Sequence, residues 1–159
     1  MASTPQAVRV DPYRAFNFLI TLVDSPSSGS APPQQSLPSG GFSECTGLDM
    51  SLDIEEYREG GNNGLILRFP TRIKWSNLRL KRGIAILDDL WLWHFGFVQG
   101  KVVRRNGVVT LQDEQQNPIK IWSFTRGLPV KWTGPSLNAA QNQVAIEELE
   151  IAHEGLKRL

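Results

Sequence analysis

A mainly β fold is predicted by three features of this 159-residue chain. Fourteen Gly and ten Pro residues favour frequent turns over long helices. Leu48, Met50, Leu52 and Ile54 alternate strictly with Asp49, Ser51, Asp53 and Glu55, the period-two pattern of a strand with one wet face. Only one stretch, about 86–98, carries helical spacing. The length and the 40% apolar content suit one core, so residues 1–159 are expected to form a single domain.

The first strand is expected between Tyr13 and Val23, where Phe16, Phe18, Ile20 and Leu22 form a wholly apolar face. Residues 25–41 follow, with thirteen of seventeen positions Ser, Pro or Gly and no charge. Such a segment cannot bury enough apolar surface to order itself, which predicts a flexible loop. A linker between domains is a poor alternative, because the dozen structured residues before it are too few for a core.

The alternating strand from Leu48 continues towards Glu55 to Gly64, whose Gly60, Gly61, Asn62, Asn63 and Gly64 tolerate positive φ and predict a long exposed turn. Ile73 and Trp75 are out of phase with Leu78 and Leu80. A strand over 72–81 must therefore carry a bulge or bend near Ser76 and Asn77.

In the helical stretch, Leu87, Leu90, Trp91, His94 and Val98 share one stripe, while Leu92, Trp93 and Phe95 cover much of the rest. A helix apolar on more than one side should lie between its own sheet and another surface, such as a second subunit. Val108–Asp113 and Ile119–Thr125, joined by a polar turn over 114–118, read as a hairpin. Residues 143–153 read two ways. Their composition favours helix, while Val144 with Ile146 and Leu149 with Ile151 give two short β alternations out of phase.

Several functions find little support in the composition. A net charge of +1 offers no excess of cations to hold a phosphate backbone, so nucleic acid is not expected as a specific ligand unless the chain belongs to a phage. Apolar runs are far shorter than the roughly 20 residues that cross a bilayer, and the N-terminal residues lack a basic and apolar leader. Neither membrane insertion as a monomer nor general secretion is expected, and synthesis in the cytoplasm is. Cys45 alone can form no internal disulfide and no multi-thiolate metal site.

No catalytic, cofactor-binding or metal site is expected either. A thiol nucleophile needs an adjacent base, and nothing places His94 or His153 beside Cys45, which reads as a small buried hydrophobe. His94 suits a hydrogen-bonded place in the core or an interface, and His153 a solvated one. The acids at 53–56, 88–89 and 147–150 suit wetted strand faces and a helix start. GGNNG lacks the residues of a phosphate loop. Arg79, Lys81, Arg82 and Lys101, Arg104, Arg105 read as balanced surface charge.

In order along the chain come FNFLI, GGFSECTGL, DIEEYREGGNNG, RFPTRIKWSNLRLKRGI, a Trp-containing helix, PVKWTGPSLNA and QVAIEELEIAHEGL. This set resembles the tube protein family of contractile phage tails and extracellular contractile injection systems over Tyr13 to Leu156. The most specific pieces are Glu56–Gly61, Leu80–Gly83, Lys131–Pro135, Ala145–Glu147 and His153–Gly155. The resemblance implies two antiparallel sheets forming a β-barrel or sandwich with one flanking helix, hexameric rings stacked into a hollow tube, and the strand reading for 143–153. It implies subunit contacts through Tyr57, Arg58, Glu59, Gly60, Gly61, Asn62, Asn63, Leu67 and Phe69, with Trp91 and Trp93 on the helix. Its partners would be further copies, a contractile sheath, baseplate and spike proteins and cargo in the lumen, in an assembled injection particle or virion tail. The alternatives are a small-molecule-binding barrel and an effector or adaptor sharing the fold.

Overall fold

The computed structural model describes residues 14–25, 36–37, 41–61, 64–84, 88–140 and 142–159. Among the described residues ten strands and one helix follow one another as β1 Phe18–Asp24, β2 Ser36–Leu37, β3 Phe42–Thr46, β4 Met50–Arg58, β5 Ile66–Trp75, β6 Leu78–Gly83, α1 Asp89–Phe95, β7 Arg105–Gln112, β8 Pro118–Thr133, β9 Ile146–Ala152 and β10 Gly155–Arg158. Most of the loop expected at 25–41 lies outside the described residues. Within it, Ser36 and Leu37 pair with Val23 and Leu22 of β1.

The sixteen-residue strand β8 organises the architecture. Its first half pairs with β7 on one edge and β10 on the other, and its second half pairs with β9. Between the halves Arg126 has φ 53°, and the chain turns from one antiparallel layer into the next. One layer is β2, β1, β7, β8 and β10; the other is β8, β9, β6 and β3. The barrel expected from the resemblance is left open, because β1 and β3 approach each other without hydrogen-bonding.

Both layers and the helix supply one core of Ile20, Leu22, Leu78, Leu80, Leu90, Trp93, Val109, Phe124, Leu149 and Ile151. Alternate residues of β6 and β9 turn the other way and carry charge. Lys81 lies between Glu44 and Glu148, and Arg79 lies beside Glu150. The strand reading of 143–153 therefore holds for β9.

Two glycines make room for the Phe124 ring. A Cβ on Gly107 would fall 2.2 Å from two ring carbons, and one on Gly127 would fall 2.7 Å from a third. Overpacking of this kind costs about 1–3 kcal/mol. Gly107→Ala is expected to lower Tm by about 2–10 °C in a thermal melt. A melt within a degree of the unaltered chain would show that the ring moves aside freely.

Helix α1 is shorter than the stretch read from the sequence. It ends at Phe95, and Val98 lies beyond it. The N–H groups of residues 97–100 bond to carbonyls three positions back, tightening the path, and Gly100 closes it at φ 77°. The expected helix start at 86–87 lies outside the described residues. Among the described residues, no helix is long and apolar enough to cross a membrane.

Candidate assembly surface

The phase slip at Ser76–Asn77 is a passage between sheets, where one bent strand was expected. β3 and β6 pair within the second layer, and the same two chain segments continue as β4 and β5, which among the described strands pair only with each other. The break falls at Gly47–Asp49 on one side and Ser76–Asn77 on the other. Gly47 has φ 89°, and a Cβ there would sit 2.0 Å from the Asn77 carbonyl oxygen, so glycine is required at this joint.

The β4–β5 ribbon carries apolar side chains on both faces, in different halves. Near the joint Met50 lies opposite Trp75 and Leu52 opposite Ile73. A bulge between Leu52 and Ile54 gives β5 one extra residue, and Ile54 then faces Pro70. Further out the same face is charged, with Arg68 Nε 3.1 Å from Glu56 Oε1. The opposite face is charged near the joint, where Lys74 Nζ lies 2.7 Å from Asp53 Oδ2. Beyond them that face holds Phe69 opposite Glu55 and Tyr57 opposite Leu67. The Leu48–Ile54 alternation was read as a strand with one wet face, but on its apolar side Met50 is 72% exposed and Leu52 and Ile54 are exposed too, as is Ile73 opposite Leu52.

Of the residues singled out in the sequence, Tyr57, Arg58, Glu59, Gly60, Gly61 and Phe69 are exposed on the ribbon or its turn, and Leu67 is half-buried. Asn62 and Asn63 lie outside the described residues. Trp91 sits at the surface, edge-on to Trp132. Trp93 is 4% exposed. It donates from Nε1 to the Val103 carbonyl and lies under Arg105, so its ring faces the chain's own core. Met50, Leu52 and Ile73 join this surface without having been singled out. Their period-two pattern shows that one face is apolar but not what covers it.

His153 braces the joint. It donates from Nε2 to the Ser76 carbonyl at 3.0 Å and lies against the rings of Trp75 and Phe124. It is thus partly buried, where a solvated place was expected. Burial holds its imidazole below the ordinary histidine value, and the Ser76 carbonyl opposes this only in part. The unfolded chain therefore takes up its proton first, near pH 6.5, and stability contributed above that value is lost as pH falls through the lower folded value. Between pH 7 and pH 5.5 the urea midpoint of the unaltered chain is expected to drop more than that of His153→Gln. Equal drops would exclude His153 as the source.

Near the first turn of the helix, Arg82 is 2% exposed and bonds Glu147 at 2.6 Å and Asp89, while Trp132 Nε1 donates to Glu147 at 3.1 Å. His94 donates from Nδ1 to the Pro129 carbonyl at 3.2 Å. Burial pushes the Cys45 thiol up to about 11, so it is protonated and a poor nucleophile at neutral pH. Among the described residues no group of three His, Cys, Asp or Glu could hold a metal ion.

A family model described as the T4-like virus tail tube protein gp19 matches residues 14–157. Among solved structures, a chain of the anti-feeding prophage baseplate, 6-fold symmetrised, is 26% identical, with 95% of this chain and 97% of that chain covered and a TM-score of 0.81. A chain of the PVC extracellular contractile injection system sheath–tube complex in its extended state is 21% identical, with 100% and 99% covered and a TM-score of 0.76. A chain of the anti-feeding prophage tube-terminating cap is also 21% identical, with 100% and 99% covered and a TM-score of 0.77. The last two likenesses are of fold. No curated protein matches the chain.

Proposed function

The chain belongs to the T4-like virus tail tube protein family, and on that premise we propose that it forms hexameric rings that stack into the hollow inner tube of a contractile injection particle or phage tail. The observation that carries this reading is the projecting β4–β5 ribbon. A lone subunit has no use for Met50, Leu52, Ile54, Tyr57 and Phe69 in water, and an uncovered ribbon of this kind invites pairing with another chain. Head-to-tail contacts between identical copies cover such surfaces, closing into rings or extending into filaments.

In this reading the subunit contacts run through Tyr57, Arg58, Glu59, Gly60, Gly61, Leu67 and Phe69 on the ribbon and through Trp91 on the helix. Asn62 and Asn63 belong to the same turn by sequence. Trp93, buried inside its own core, acts by fixing the helix. The whole chain, 1–159, is one tube domain, made in the cytoplasm and then built into the particle. Its partners are further copies of itself, a sheath around the tube and a baseplate at its end, by analogy with the assemblies in which the similar chains were solved. The role is mechanical and has no catalytic step.

Negative-stain electron microscopy of the concentrated protein tests this directly. Annular particles with a central hole, or stacks of them, are the expected result. A chain that stays monomeric at high concentration, even when seeded with a preassembled baseplate, would overturn the reading.

A further inference from the structure

A second uncovered apolar surface lies at the far end of the layer from which the ribbon springs. β6 starts at the joint with Leu78 and ends at Gly83, which pairs with Ile146 at the start of β9. Around that end stand Ile84, Leu137, Val144 and Ile146, all exposed, with Leu137 at 84% and Val144 at 78%. Leu137 lines a cleft of about 490 Å³ together with Ser136, Asn138, Ala139, Gln143 and Ala145, and Val144 and Ile146 stand next to Ala145 in the chain. From Gly134 to Ile146 the chain carries no charged residue at all.

We propose that this cleft receives the outer half of the β4–β5 ribbon of the next copy, with Tyr57, Leu67 and Phe69 packed against Leu137 and Val144. The inference rests on the reading of the chain as a tube subunit, and it names the partner surface of the ribbon.

Three properties select this occupant. First, the two surfaces belong to one chain and sit at opposite ends of one sheet, so their contact is heterologous and repeats without saturating itself, as stacking requires. Second, the cleft itself carries no charge, and the Tyr57–Leu67 pair that enters it is uncharged. Third, β4 spans roughly 30 Å at 3.3 Å per residue, which carries the Tyr57–Leu67 pair about 25 Å beyond the joint and clear of its own sheet. The amides of Asn138 and Gln143 line the same cleft and can satisfy backbone groups of the ribbon as it enters.

Cysteine cross-linking in assembled tubes tests the contact. Leu67→Cys and Leu137→Cys are combined in one chain and treated with a short bifunctional maleimide, the native Cys45 being protonated and half-buried. The expected result is a ladder of cross-linked species on a denaturing gel from the double variant, with each single variant running as monomer. Tubes visible by microscopy with no ladder would overturn the proposed seating and leave the tube reading intact. Absence of tubes from the unaltered chain, even when seeded with a preassembled baseplate, would overturn both. If only the double variant fails to assemble, hydroxyl-radical footprinting of the unaltered tubes decides. Protection of Leu137, Val144, Leu67 and Phe69 together supports the seating, and protection of the ribbon with Leu137 still reactive overturns it.

Discussion

Arg82→Met is expected to destabilise the subunit by about 3–5 kcal/mol, the usual cost of removing one partner from a buried ion pair. Arg82 lies in the core face of β6 and bonds carboxylates from two other elements, Glu147 of β9 and Asp89 of α1. Burial works against its charge, and the bonds to Asp89 and Glu147 outweigh it, so the guanidinium sits above even its ordinary high value. Methionine fills much of the same space, which separates the loss of charge from the loss of volume. What remains is two carboxylates facing an apolar core, with Trp132 Nε1 the one donor described at Glu147 besides Arg82. The helix N-terminus should loosen from the sheet with them. Urea unfolding measures the effect as a fall in the midpoint at unchanged slope. A loss below about 1 kcal/mol would mean that water reaches the carboxylates, as at an exposed pair.

The second large effect concerns growth and leaves folding alone. Replacing Leu67 and Phe69 by Asp is expected to leave a folded subunit that forms no tubes. Both side chains lie on the outer half of the ribbon, on the face shared with Tyr57. Each buried apolar side chain of this size contributes about 1.5–3 kcal/mol. Losing two at every contact therefore raises the concentration needed for growth by about 10²–10⁴, before the added charge is counted. Neither residue belongs to the core, so circular dichroism and the thermal melt should stay close to those of the unaltered chain. Tubes of ordinary length from the double variant would remove these residues from the contact.

Strand alternation made much of the fold legible. The β7–β8 hairpin and the Leu48 strand were visible because side chains on a strand alternate and a tight polar turn joins neighbours. β9 was not legible from its residues, since VAIEELEIAHEG has the composition of a helix. Cross-strand pairing overrides that preference. Glu148 lies opposite Lys81, and Glu150 opposite Arg79 on one side and Lys131 on the other, so the acids are matched to cations only in the sheet. The resemblance of the whole chain carried the strand assignment.

The phase slip at Ser76–Asn77 was visible, yet alternation alone does not separate a bulge from a passage into another sheet. The ribbon's exposed face was hidden for a related reason, because periodicity reports a side chain's direction and not the neighbour it meets. The cleft beside Leu137 was not legible, being lined by the loop between β8 and β9, whose residues follow no strand or helix period.

The joint at Gly47 also sets a mechanical ratio. The ribbon beyond it is roughly 30 Å long. A rotation of only about 10° at the joint therefore displaces the outer end by about 5 Å, with the ladder between β4 and β5 unchanged. Were subunits of one sequence to meet neighbours at slightly different rise or radius, a small angle at this fulcrum would supply the reach without repacking a core, as in a lever. A Cβ at Gly47 would jam that fulcrum against the Asn77 carbonyl.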